Sequence, residues 1–301
     1  MGAVRQVGIT LHRIGVLTGG DIGKVLEMAQ VADAAGIDMI SVPDHISFGP
    51  GAREEYPQGP DKFPGGIDED WYEPLTLLAA IASVTTQIRL STAILISPLR
   101  SAVFLAKQLA TLDRISNGRA VPVFGAGWHR AEFASCNMPF DTKFTHMEEQ
   151  IGACRALWKG GAQSFHGTIV NFDDLWSYPL PVNGDMPIWL GIKPSPRNIE
   201  RMARLGNGWL PAMESLEVIA DTKAKVLARK TELGLPAEFT IRKGLVPVYR
   251  ADGTPDADAT FAQAGAMTEA GVDVVDLAPI FLSGDYRDAA SLIERMAALK
   301  G

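Results

Sequence analysis

The chain has 301 residues, 47% of them hydrophobic and 21% charged, with a formal net charge of −7 at pH 7. An acidic chain whose charges are mixed in sign, without long same-sign blocks, argues against nucleic acid as a partner. No apolar run approaches the roughly 20 residues that a membrane helix requires.

Two cysteines, Cys136 and Cys154, make neither a disulfide framework nor a metal-binding spacing, and no metal is expected. Residues 1–6 carry no apolar segment followed by a small-residue cleavage site. The expectation is a cytoplasmic protein folded as a single domain over residues 1–301.

Strand-like runs alternate with helix-period segments almost to the end. Residues 7–11, 39–43, 88–96, 120–124, 187–191, 208–211, 239–249 and 272–278 read as eight strands. Between them, Ile22, Val25, Leu26, Ala29 and Ala32 form one helical stripe, and Leu105, Leu109 and Leu112 another. Ala289, Leu292, Ile293 and Met296 form the last. Gly20-Asp21, Ser101, Ser195-Pro196 and Ser215 read as helix N-caps, and Gly36, Gly118, Gly206, Gly234 and Gly271 as helix stops. Eight such units predict an α/β fold, a (β/α)8 TIM barrel with insertion loops at the C-terminal face of its strands. A doubly wound open sheet would show the same alternation. Two segments break the rhythm, residues 46–70 and 165–182, and both read as lids over the barrel mouth or as surface loops.

Asp44 and His45 end the second strand, which in a barrel puts both at the mouth. A free imidazole titrates near pH ~6.5, so His45 is a candidate to exchange a proton, with Asp44 beside it; the rival reading is a loop histidine held by a carboxylate. His12 ends the first strand in the same way. Aromatics gather in the lids and strand ends. Phe48, Trp71, Trp176, Tyr178 and Phe281 are candidates to wall an apolar substrate pocket, or ordinary packing.

Ile88-Arg89-Leu90-Ser91-Thr92-Ala93-Ile94-Leu95-Ile96-Ser97-Pro98-Leu99-Arg100 precedes a helix ending in Ser116-Asn117-Gly118-Arg119. Val123-Phe124-Gly125-Ala126-Gly127-Trp128 follows, then Pro187-Ile188-Trp189-Leu190-Gly191 and Arg204-Leu205-Gly206-Asn207-Gly208-Trp209-Leu210-Pro211. Over about residues 7–212 this resembles the bacterial luciferase-like family of flavin- and deazaflavin-dependent oxidoreductases.

The resemblance implies the deazaflavin coenzyme F420, or alternatively FMN, with its ring in the barrel mouth and its phosphate near the later strands. It implies a cis peptide at Ala93-Ile94 behind the ring. Gly125 and Gly127 lack a Cβ, so a flat ring could lie against them, although tight packing uses glycine equally well. Trp128 and Gly191 fall beside that ring. Lys193, Ser195 and Arg197 at a helix N-terminus form a phosphate seat, with an ordinary N-cap as the alternative.

The sequence departs from the family pattern in two places. Ile192-Lys193-Pro194 stands where many relatives carry a Gly-Gly type turn. Trp128 stands where several deazaflavin enzymes carry a glutamate, and an indole cannot donate a catalytic proton at neutral pH. His45 is then the matched proton-handling residue and His12 an unmatched one. The leading expectation is hydride transfer between F420 and a small organic substrate. The alternatives are an FMN-dependent monooxygenase served by a separate reductase, and a non-catalytic flavin-binding protein. A homodimer is expected.

Overall fold

The computed structural model describes residues 4–300; residues 1–3, part of the segment read for a leader, lie outside the described residues. Twelve strands form, ten of them in one parallel sheet. In chain order these ten are β1 (Gln6–Thr10), β2 (Met39–Val42), β3 (Arg89–Thr92), β4 (Leu95–Ile96), β5 (Ala120–Val121), β6 (Val123–Gly125), β9 (Trp189–Leu190), β10 (Gly208–Trp209), β11 (Thr240–Gly244) and β12 (Val274–Leu277). The other two, β7 (Gln163–His166) and β8 (Asn171–Leu175), make a separate antiparallel hairpin.

β3 with β4, and β5 with β6, are halves of single barrel strands. β3 pairs with β5 and β4 with β6, so the sheet closes on itself as eight strands. Pro122 has no N–H to give the ladder and separates β5 from β6. The Thr92 hydroxyl bridges this break, accepting from Val123 N at 2.9 Å and donating to the Val123 carbonyl at 3.1 Å.

Helices pack outside this sheet. The predicted stripes bury as expected along the helices Ala102–Ile115 and Tyr286–Ala297; on the helix Ile22–Ala35, Met28 joins the buried face and Ile22 is exposed. All four predicted N-caps form, with Asp21, Ser101, Ser195 and Ser215 accepting from backbone N–H groups two or three residues on. The seventh strand ends at Gly244, five residues short of the prediction, because after Leu245, whose N–H still donates to the Asp276 carbonyl at 2.8 Å, the chain leaves the sheet for a turn closed by a Tyr249–Pro255 bridge.

Inside the barrel, Met39, Val121, Val123, Trp189 and Val274 fill the lumen. Above them lies a polar layer. Arg242, fully buried, donates to Thr10 Oγ1 at 2.9 Å, to Asp276 Oδ2 at 2.9 Å and to Ser41 Oγ at 2.5 Å, and Thr10 Oγ1 donates to Asp276 Oδ2 at 2.5 Å. Gly8 makes room for this carboxylate, since a Cβ there would lie 2.8 Å from Asp276 Oδ1.

The second insertion corrects the sequence expectation. It follows the helix Lys143–Leu157 and precedes β9, so it leaves the barrel on the helix-to-strand side, not at the mouth. Its hairpin lies along the outside of two helices. Glu149 accepts from Thr168, Ile169 and Val170 N–H groups, and Val170 packs on Ala102 and Ala153. Trp176 and Tyr178, with 66% and 53% of their surface exposed, stand on this outer flank and wall no substrate pocket.

Removing Arg242 leaves the Asp276 carboxylate buried and unpaired, which costs about 3–5 kcal/mol. Arg242→Ala is therefore expected to lower the urea midpoint of unfolding steeply, whereas a surface control such as Arg250→Ala leaves it within error.

Candidate active site

A cavity of about 530 Å³ opens at the C-terminal ends of the strands. β1 brings Thr10 and His12 to it, β2 brings Pro43, Asp44 and His45, and the β3–β4 junction brings Ala93 and Ile94. The segment after β6 adds Ala126, Gly127 and Trp128, the segment after β9 adds Gly191, Ile192, Lys193 and Asn198, and β12 adds Asp276. The first insertion covers one side with Tyr56, Pro57, Gln58 and Pro64, as expected of a lid.

The central feature is a pair that the sequence reading did not name. Glu132, fully buried on the short helix Arg130–Ser135, faces His45 with Oε2 3.1 Å from Nδ1. Its other oxygen accepts from Ile46 N at 2.6 Å. A carboxylate on Nδ1 fixes the N–H there and leaves Nε2 as the exchangeable nitrogen. The imidazole is held on its other sides by aromatic rings, with Phe48, Trp71 and Trp128 centroids 4.6, 5.0 and 5.4 Å away.

Asp44 serves a different purpose from the one expected. Both its oxygens are taken by Arg100, at 2.7 and 3.0 Å, and Oδ2 also accepts from Ile96 N at 2.8 Å. With 3% of its surface exposed and three hydrogen bonds accepted, two of them from a guanidinium, it anchors the β4 end.

The glycines also serve packing. A Cβ on Gly125 would lie 1.9 Å from Ile94 Cδ1, and one on Gly191 would lie 2.3 Å from Ile94 Cγ2. The two glycines thus seat the Ile94 side chain between them, and Ile94 meets the cavity together with Gly191 while Gly125 does not. Gly127, at φ +74°, packs against Ile96 and Phe133. The Ala93-Ile94 peptide is cis, as the family resemblance implies.

Of the phosphate seat, Lys193 lines the cavity. The Ser195 hydroxyl is used as the helix cap, accepting from Asn198 N at 3.2 Å, and Arg197 is exposed away from the wall. Asn198, which was not predicted, lines the cavity in their place and donates to the Lys193 carbonyl at 2.8 Å. Phe48 and Phe281 stand one layer back, with Phe281 5.4 Å from the His12 ring. His12 and Trp71 reach the wall, their centroids 5.6 Å apart.

The lid is bolted to the same short helix that carries Glu132. Gly49 N donates to His129 Nε2 at 2.9 Å, which leaves the ring proton on Nδ1, 2.9 Å from Glu55 Oε2. Glu55 also accepts from Arg130 N at 2.8 Å.

The residues present fit a flat heteroaromatic coenzyme. The volume falls within the usual range for such sites, and three buried polar atoms of wall residues, Gln58 Oε1, Trp71 Nε1 and Asp276 Oδ1, have no partner within the described residues. Lys193 and the N-terminus of the helix Pro196–Leu205 suit a phosphate.

No helix among the described residues is long and apolar enough to cross a membrane. A family model described as luciferase-like monooxygenase matches residues 7–299. An uncharacterized protein of Mycobacterium tuberculosis strain H37Rv is 29% identical over 274 residues, 90% of this chain and 91% of that protein. Among solved structures, the monooxygenase RslO1 of Streptomyces bottropensis superposes with a TM-score of 0.78 at 21% identity, over 97% of this chain and 98% of that one. The coenzyme F420-dependent tetrahydromethanopterin reductase of Methanopyrus kandleri superposes at 0.74 and 17% identity, again over 97% and 98%.

Burial, then the nearby Arg13 charge, lowers the His12 pKa from 6.5 to about 4. The unfolded chain then binds a proton that the folded chain refuses, so His12 contributes a loss of stability as pH falls from 6.5 toward 4, on the order of 2–3 kcal/mol. His12→Gln is expected to flatten that part of a stability profile measured by urea unfolding; an unchanged slope would contradict the burial of a neutral His12.

Proposed function

Because the chain belongs to the luciferase-like monooxygenase family of flavin- and deazaflavin-dependent oxidoreductases, we propose that it uses coenzyme F420 to move a hydride to or from a small organic substrate, with His45 handling the proton. The observation that carries this reading is His45 on the cavity wall, held from behind by buried Glu132. When bound, the deazaflavin supplies the carbon that gives or takes the hydride.

The chain's own residues do the rest. Glu132 orients the His45 ring through Nδ1, so that Nε2 can give a proton to a developing alkoxide or take one from an alcohol. Tyr56, Trp71 and Trp128 exclude water from the substrate side. Lys193 and the helix after it would hold the coenzyme phosphate, and the Ile94 side chain would back its ring.

FMN is the second reading, favoured by the similarity to a monooxygenase over nearly the full chain. In that case a separate reductase supplies reduced flavin, and the lid shields the reactive site from water. A homodimer in the cytoplasm is part of either reading.

Parallel titration of the purified chain with F420 and with FMN, followed by tryptophan fluorescence, tests the coenzyme. Tight binding of F420 alone is the expected outcome, and tight binding of FMN alone would replace the first reading with the second. His45→Ala is expected to lower turnover about 10²-fold or more while coenzyme affinity changes only a few fold. Glu132→Gln is expected to lower turnover in the same direction, because the imidazole loses the carboxylate that orients it. Turnover equal to that of the native chain would remove Glu132 from the mechanism.

A further inference from the structure

The cavity wall divides by charge. At the end formed after β9, Lys193 lines it and exposed Arg197 lies on the adjoining first helical turn. At the end formed by β1, β2, the first insertion and the segment after β6, the wall includes His12, His45, Tyr56, Gln58, Trp71 and Trp128.

Among the described residues no Lys or Arg lines the wall at this second end, and four cations near it are engaged. Arg13 binds Glu69 bidentately at 2.7 and 2.6 Å, and Arg100 binds Asp44 and Glu73. Arg53 donates to the Gly65 carbonyl and lies over Phe63, and Lys143 donates to the Gly127 carbonyl and lies over Phe140. His12 is neutral at pH 7, since burial brings its pKa down to about 4. The charges on the wall itself at this end are the carboxylates Asp44, neutralised by Arg100, and Asp276, neutralised by Arg242.

We propose that the aromatic end selects neutral substrates, compact molecules with an apolar body and one hydroxyl or carbonyl group, and rejects carboxylates, sulfonates and phosphates of the same size. The inference rests on the reading of this cavity as the substrate site and names its substrate class. An anion entering here would shed its water without a free cation to replace it and with Asp276 close by. Two buried polar atoms of wall residues are open to a neutral oxygen instead. The Trp71 indole N–H has no acceptor and the Gln58 side-chain oxygen no donor among the described residues. A hydroxyl serves both kinds of group and a carbonyl serves the indole, while the rings of Tyr56, Trp71 and Trp128 cover the apolar body.

Isothermal titration calorimetry of the full chain without coenzyme, using cyclohexanol, cyclohexanone and cyclohexanecarboxylate at pH 7.5, tests this. The same titrations on Lys193→Ala remove any contribution from the cationic end. The expected result in that variant is binding of the alcohol and the ketone at least about tenfold more tightly than of the carboxylate. Trp71→Phe, which keeps the ring and loses the N–H, is expected to weaken the alcohol about fivefold, the usual effect of one hydrogen bond. Carboxylate binding as tight as alcohol binding in Lys193→Ala, binding of none of the three, or an alcohol affinity indifferent to Trp71→Phe each overturns the proposal. No coenzyme is present in these titrations, so their failure leaves the F420 reading intact, and failure of F420 to bind leaves their result standing.

Discussion

Glu132 is a carboxylate with no solvent contact, and such a group is stable only where donors meet its oxygens. Here the donors come from one stretch of chain: the His45 ring, the Ile46 amide and, at 3.5 Å, the Ser47 amide. The same short helix meets the lid again at Gly49 and Glu55 through His129 and the Arg130 amide. Orientation of the imidazole and placement of the lid are thereby one constraint. A lid that lifted away at Ile46 would leave the carboxylate short of a donor and the ring short of its tether, so closure and readiness of His45 are coupled by the desolvation cost of a single group.

The barrel beneath supplies the rigidity that this coupling needs. Asp44, adjacent to His45, is locked by Arg100 to the end of β4, and this fixes the backbone from which His45 projects. Gly125 and Gly191 close on Ile94 and settle its side chain at the wall. Below, Arg242 and Asp276 join β11 and β12 to Thr10 on β1 and Ser41 on β2, tying together the strands that carry His12 and His45. The two ionic devices use buried polar groups whose loss costs several kcal/mol.

Much of the fold is legible in the sequence because it is written in local periodicity. Alternation of apolar runs marks all eight barrel strands, and Asp21, Ser101, Ser195 and Ser215 mark helix starts through chemistry that acts over two or three residues. The site is less legible because its key pair joins residues 87 positions apart. The family comparison directs attention to Trp128 as the place where an acid is missing. A carboxylate stands four residues further on, at Glu132, where it holds His45, and the local hint is its place in the apolar run Ala131-Glu132-Phe133. Gly125 illustrates the opposite error: the lack of a Cβ was read as space for a ring, and the space belongs to Ile94. The second insertion was misplaced for a reason that chain order could have removed, since the helix Lys143–Leu157 stands between β6 and that segment and carries it to the far side.

The central claim is that Glu132 holds the proton on Nδ1 of His45 and so leaves Nε2 for chemistry. Nitrogen-15 NMR of the histidine-labelled chain at a pH where the ring is neutral reads the tautomer directly. The account predicts a protonated Nδ1 and a bare Nε2 for His45, with that preference lost in Glu132→Gln. A proton on Nε2 in the native chain would contradict it.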